Sequence, residues 1–126
     1  MPVEVQFKEN PAGVLLIYTE TVTGNDIMRA NEQIADCEEC TYQLSDFSGV
    51  TSVKVSPAEM HRIAIQDCSI PSHYKLEKAA MVGNKDKYAR LIDLYYLFAE
   101  VWVGKQRQYE TRTFSTIEEA RQWIGI

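Results

Sequence analysis

Basic residues are in short supply: 13 Lys and Arg stand against 18 Asp and Glu, for a formal charge of −5. A nucleic-acid binder normally needs a Lys/Arg-rich surface to displace counterions from phosphates, so no nucleic-acid partner is expected. The same deficit disfavours plain electrostatic adhesion to anionic membranes. Long hydrophobic runs are also missing. The greasiest stretch, Leu91 to Val103, is broken by Asp93 and Glu100 and is too short for a transmembrane segment. The opening Met1 to Glu9 has neither a basic start nor an apolar core, so no leader is expected and a cytoplasmic location is. Cysteine is scarce, with 3 in the chain, and these read as reduced thiols rather than a disulfide framework. No Gly-rich phosphate loop occurs; Gly24, Gly49 and Gly83 read as turn or cap glycines. Linkers, low-complexity tracts and internal repeats are lacking too, which points to one domain over 1–126.

What the chain does have is enough apolar material for a core: 126 residues, 45% of them hydrophobic. Val3 to Lys8 alternates apolar and polar, as a half-buried edge strand should, and Asn10-Pro11-Ala12-Gly13 is a turn signal. Val14 to Tyr18 follows as a buried strand, antiparallel to the first. Thr23 caps a first helix with Asp26 in its first turn, and Ile27, Ala30, Ile34 and Cys37 recur at helical spacing. Tyr42 to Phe47 is a short strand ending at Ser48-Gly49. Ser56-Pro57-Ala58-Glu59 is a capping box with proline at the first helical position, and Met60, Ile63, Ala64 and Cys68 form the stripe of that second helix.

Lys78 to Gly83 reads as a buried strand, and a long third helix is expected from about Asp86 to about Val101. Tyr109 to Phe114 is the last strand. Ser115 to Glu118 is a second capping box for a short C-terminal helix anchored by Ile117, Ala120 and Trp123/Ile124. The order β-β-α-β-α-β-α-β-α predicts an α/β fold, a mixed but mostly parallel five-stranded sheet with about four helices.

Element order and local strings resemble the STAS-type fold of the anti-sigma-factor antagonists, especially the bacterial SpoIIAA-like family. Lys78-Ala79-Ala80-Met81-Val82-Gly83 is similar to that family's fourth strand. Thr113 to Ile124 is similar to its ending, a strand with Phe and then a helix with Glu-Ala and Trp-Ile. Thr23-Gly24-Asn25-Asp26 and Leu44 to Val50 fit the first helix start and the third strand. The resemblance spans essentially the whole chain. It implies a non-enzymatic module that presents a loop and the following helix N-terminus to a protein partner, with a Ser there as a phosphorylation switch. The corresponding stretch, Val53-Lys54-Val55-Ser56-Pro57-Ala58, lacks the acidic residue before the Ser and the Gly after it, and Pro57 removes a backbone N–H. Phosphorylation at Ser56 is therefore not expected to work as in the sporulation proteins, and the cap explains that serine unaided.

Cys37-Glu38-Glu39-Cys40 has the spacing of a redox pair. Its place at a helix end and the flanking Asp36, Glu38 and Glu39 disfavour a thiolate, so the expectation is Cys37 packed inward and Cys40 near the surface. Neither His61 nor His73 sits in a catalytic order, no metal site can be assembled from these residues, and no cofactor is implied. The third-helix region is apolar on more than one side: Tyr88, Ile92, Tyr95, Tyr96 and Trp102 form an aromatic-rich surface for self-association, a protein partner or a small apolar ligand. The leading expectation is a non-catalytic STAS-like regulatory module acting through protein–protein contacts. Its contact candidates are Val50, Ser52, Lys54, Ser56 and Met60 together with the aromatic set. The alternatives are a carrier or sensor of a small apolar ligand, membrane-associated in one form, and, behind it, a thiol redox enzyme.

Overall fold

Val3, Val5 and Phe7 alternate with Glu4 and Gln6, and the alternation becomes two faces once strand β1 (Val3–Lys8) pairs with β2 (Gly13–Thr23). The computed structural model describes residues 3–68, 75–84, 86 and 109–126. The pairing is antiparallel, with Val3 opposite Tyr18 and Lys8 opposite Gly13. Asn10 turns the chain at φ 58°, a conformation asparagine tolerates better than most residues. Gly13 answers a different need: a β-carbon there would collide with the Tyr42 ring.

Helix α1 (Gly24–Ile34) follows β2 directly, capped by Thr23, whose hydroxyl accepts from the Asp26 N–H. Strand β3 (Tyr42–Lys54) then runs parallel to β2, helix α2 (Pro57–Cys68) follows, and β4 (Lys78–Val82) and β5 (Glu110–Phe114) extend the sheet in parallel. The sheet order is β1-β2-β3-β4-β5, so each return adds a strand at the same edge. Helix α3 (Ile117–Ile124) ends the chain.

The pleat divides the core in two. Val14, Leu16 and Tyr18 point to the α1 side and close over Val22, Ala30, Ile34, Cys40 and Val50. Leu15 points the other way, where Leu44, Ala80 and Val82 meet Ala120 of α3, with Phe114, Ile117 and Trp123 around them. Leu15, Leu44 and Ala80 are neighbours in register, which is why one short helix can cover all three. Burying each large aliphatic side chain stabilises by about 1.5–3 kcal/mol, so these stripes account for the layering. Helix α2 lies along α1, where buried Asn31 donates to Gln66 at 3.2 Å and Gln66 donates to the Met28 carbonyl at 3.0 Å.

The five-stranded mixed sheet and its single antiparallel pair match the expectation. Along the described residues the elements run β-β-α-β-α-β-β-α. The segment expected as the long third helix, 86–101, lies outside the described residues except for Asp86. Strand β3 does not stop at Ser48-Gly49. It continues to Lys54, because β2 also continues and supplies a hydrogen-bonding partner through Thr23. Gly49 is thus a strand residue packed beside Thr19, not a turn. The last cap is shifted by one: Thr116, not Ser115, caps α3, accepting from the Glu119 N–H at 3.3 Å and donating to its carboxylate at 3.0 Å. Ser-Thr-Ile-Glu-Glu contains the capping pattern in two overlapping registers, and the one used starts the helix at Ile117.

Candidate functional site

β1 covers β2 only as far as Tyr18, and β4 covers β3 only as far as Asp46. Beyond these points Thr19–Thr23 and Gly49–Lys54 pair with each other as a parallel ribbon that outruns the other described strands. Register shifts between Ile17 and Thr19 and between Glu20 and Thr21, with Glu20 at φ 59°, bend the outer edge. Such irregularities spoil an edge as a template for further strand pairing. The inward side chains Val22 and Val50 anchor the ribbon to α1, while Thr19, Glu20, Thr21, Ser48, Thr51 and Lys54 face outward.

Both helices start where the ribbon ends. Thr23 and Lys54 are register partners; Thr23 caps α1 and Ser56, two residues beyond Lys54, caps α2. Each cap is reciprocal. The Thr23 N–H donates to Asp26 at 2.8 Å, and the Ser56 N–H donates to Glu59 at 3.0 Å while the Glu59 N–H donates to the Ser56 hydroxyl at 3.1 Å. Gly24 faces Glu59, so the two helix starts abut. Two positive dipole ends therefore converge, each answered by its own carboxylate. The Glu59 carboxyl is held below its ordinary range, chiefly by the Ser56 N–H and then by the Ser56 hydroxyl, against an opposing effect of desolvation and with a lesser contribution from the Arg62 guanidinium. A phosphate on Ser56 would have to displace that carboxylate, which argues against a switch at this serine.

Of the contact residues expected from sequence, Lys54 and Ser56 are exposed and Ser52 is half-buried, all at this end. Val50 and Met60, expected on that surface, are buried. They are 7% and 6% exposed and face the interior, because 50–54 is strand rather than loop and Met60 lies on the inward stripe of α2. Tyr88, Ile92, Tyr95, Tyr96 and Trp102 lie outside the described residues.

Cys37 and Cys40 are joined by a disulfide, which corrects the reading of free thiols. The burial of Cys40 also departs from expectation: it belongs to the buried core cluster with Val14 and Leu16, while Cys37 is partly buried against that cluster. The physical reason is that α1 ends at Ile34, so Cys37 sits in a turn and Cys40 leads into β3. Sequence reasoning also missed a buried polar group on the α1 side. Tyr18 stacks on Phe47 with ring centres 4.4 Å apart, and burial, with Asp67 and Asp26 adding to it, pushes its hydroxyl pKa upward. Asp67, itself buried, accepts from the Tyr109 hydroxyl at 3.1 Å. Only the position of Tyr18 at the end of an apolar run hinted at this.

A cleft of about 230 Å³ lies at the opposite end of the sheet, lined by Pro11, Thr41, Tyr42, Glu77, Lys78 and Ile124. Lys78 is committed there to α3: its ammonium donates to the Trp123 carbonyl at 2.7 Å, meeting the negative helix end, and lies over the Trp123 ring. Ligands of parallel sheets collect at the carboxyl ends of strands, and this cleft is at the amino ends. Among the described residues no cluster of three or more His, Cys, Asp or Glu is placed to hold a metal, and no helix is long and apolar enough to cross a membrane.

No family model matches the chain, and no curated protein matches it. Among solved structures, it is similar to an uncharacterized protein of the DUF3478 family from Shewanella loihica PV-4, described as having a SpoIIAA-like fold. The two share 11% sequence identity with a TM-score of 0.53, over 96% of this chain and 90% of the other. The likeness shows the fold: this chain has a SpoIIAA-like α/β architecture.

Proposed function

We propose that the chain is a non-catalytic STAS-type binding module, and that the end of the β2–β3 ribbon, with the start of α2, is the surface that meets a protein partner. The observation that carries this is the ribbon itself. It thrusts two helix starts and a row of short hydroxyl side chains past the rest of the described sheet, and it spends their reactive potential on internal caps. Ser56 accepts a helix N–H, Asp26 and Glu59 answer the two dipole ends, and Lys54 stands exposed at the end of the ribbon. Among the described residues this surface offers hydrogen bonds and shape, which suits recognition.

The carrier reading rests on Tyr88, Ile92, Tyr95, Tyr96 and Trp102, which lie outside the described residues. The cleft at the other end of the sheet is below the usual ligand-pocket size of about 300–1,000 Å³, and Glu77 and Lys78 line it.

Immobilised chain in an extract of its own cells tests the proposal. Wild-type protein should retain a defined protein, and a Lys54→Glu, Ala58→Arg double variant with an unchanged melting curve should lose it. Equal retention by both would remove the ribbon end as the contact surface.

A further inference from the structure

A Cys-x-x-Cys disulfide closes the turn between α1 and β3, and its two residues differ in burial. Cys40 belongs to the buried core cluster with Ile34 and Leu16, whereas Cys37 is only partly buried against that cluster and is flanked by the exposed Asp36, Glu38 and Glu39. The bond spans a sequence separation of only three residues. Loop-closure entropy grows with loop length, so so short a loop gains little from a permanent staple. What the bond does fix is the lead into the sheet. Cys40 is followed by Thr41, whose N–H and hydroxyl both donate to the Ala12 carbonyl, at 2.8 and 3.0 Å, and whose own carbonyl accepts from Glu77 at 2.8 Å. Thr41 also lines the cleft at this end.

We propose that Cys37–Cys40 is a reversible thiol–disulfide exchange site whose reductant is a protein dithiol with basic residues around its attacking thiol. This goes beyond the binding role and does not depend on it. The attacking thiolate bonds to Sγ of Cys37, the less buried of the two residues. The Cys37–Cys40 bond breaks, and the Cys40 sulfur leaves with the electron pair and takes up a proton. The second thiol of the reductant then attacks its own sulfur in the mixed disulfide, and Cys37 departs and is protonated. The chain gains two electrons and two protons, and the dithiol becomes a disulfide. The acidic rim repels the anionic tripeptide glutathione and attracts a cation-bearing protein, which gives the choice of reductant a physical basis. Reduction releases the turn ahead of Thr41 while Cys40 stays packed as a small apolar side chain.

The test uses the full chain in its oxidised form and a thioredoxin-type dithiol protein whose resolving cysteine is replaced by serine, bearing lysines near its thiol. Peptide mapping of the trapped complex should find the mixed disulfide on Cys37. With the intact dithiol protein, the folded chain should be reduced at least about tenfold faster than by glutathione at equal thiol concentration, an advantage that shrinks as salt rises. Hydrogen exchange of the reduced chain should quicken from 37 to 42 with the far-ultraviolet circular dichroism unchanged. A trap on Cys40, reduction only in denaturant, or loss of the fold on reduction would each show a structural staple and overturn the proposal.

Discussion

Gly24 and Glu59 stand so close that a β-carbon at position 24 would press on the Glu59 carboxylate. The contact joins the starts of α1 and α2 and makes the two capping boxes one unit. In an ordinary helix, glycine to alanine gains roughly 0.5–1 kcal/mol. Here Gly24→Ala should instead lower stability, because the new methyl pushes Glu59 away from the Ser56 N–H. Denaturant unfolding of the single variant checks the sign, and a gain in stability would mean that the helix starts are not in contact.

Ser56→Ala should cost about 0.5–2 kcal/mol, the usual loss for an N-cap. It also removes the hydroxyl that helps hold the Glu59 carboxyl low, so the Glu59 titration should move up toward its ordinary value. The remaining Ser56-position N–H keeps it from returning fully. The sign for stability follows: a depressed carboxyl stabilises the fold above its unfolded pKa, near 4.5, and that contribution fades as pH falls through the folded value. Carboxyl-detected NMR titration of wild type and variant reads both effects.

Tyr18 behaves oppositely, on the alkaline side. Its buried hydroxyl is raised from 10.0, first by desolvation and then by Asp67 and Asp26. The unfolded chain therefore loses a proton near pH 10 that the folded chain keeps. Stability should be level below that point and fall above it by about 1.4 kcal/mol per pH unit for this one group. Tyr18→Phe should flatten the fall only in part, since burial also raises Tyr42. Urea unfolding at pH 9 and pH 11 decides it.

The two clusters should answer truncation very differently from the edge. Leu16, at 0% exposure, should lose about 2–5 kcal/mol on Leu16→Ala. Phe7, 55% exposed on β1, should lose well under that amount on Phe7→Ala. Melting curves of the two variants suffice.

What was readable in the residues was what is decided locally. The Ser56–Glu59 and Thr23–Asp26 caps each lie within four residues, and both formed as read. The apolar run Val14–Tyr18 marked β2 because a strand buried against helices has to be greasy. What escaped was decided by partners far away in sequence. Thr19–Thr23 carries little apolar signal, and Ser48-Gly49 looks like a stop; both remain strand because each supplies the other's hydrogen bonds. Cys37 and Cys40 looked like separate thiols because nothing local says that the helix ends at Ile34 and the chain turns back. The exposure of Lys54 and Ser56 was legible, whereas the inward aim of Val50 depends on the strand continuing past Gly49.

The central claim is that the ribbon end meets a protein, and a photo-crosslinking residue at Ala58 addresses it most directly. Irradiation in native extract should yield one discrete crosslinked protein, competed away by excess unlabelled wild-type chain but not by Lys54→Glu, with no such product from a probe at Glu32 on α1. Crosslinking that is absent at Ala58, equally strong at Glu32, or competed equally by both chains would contradict it.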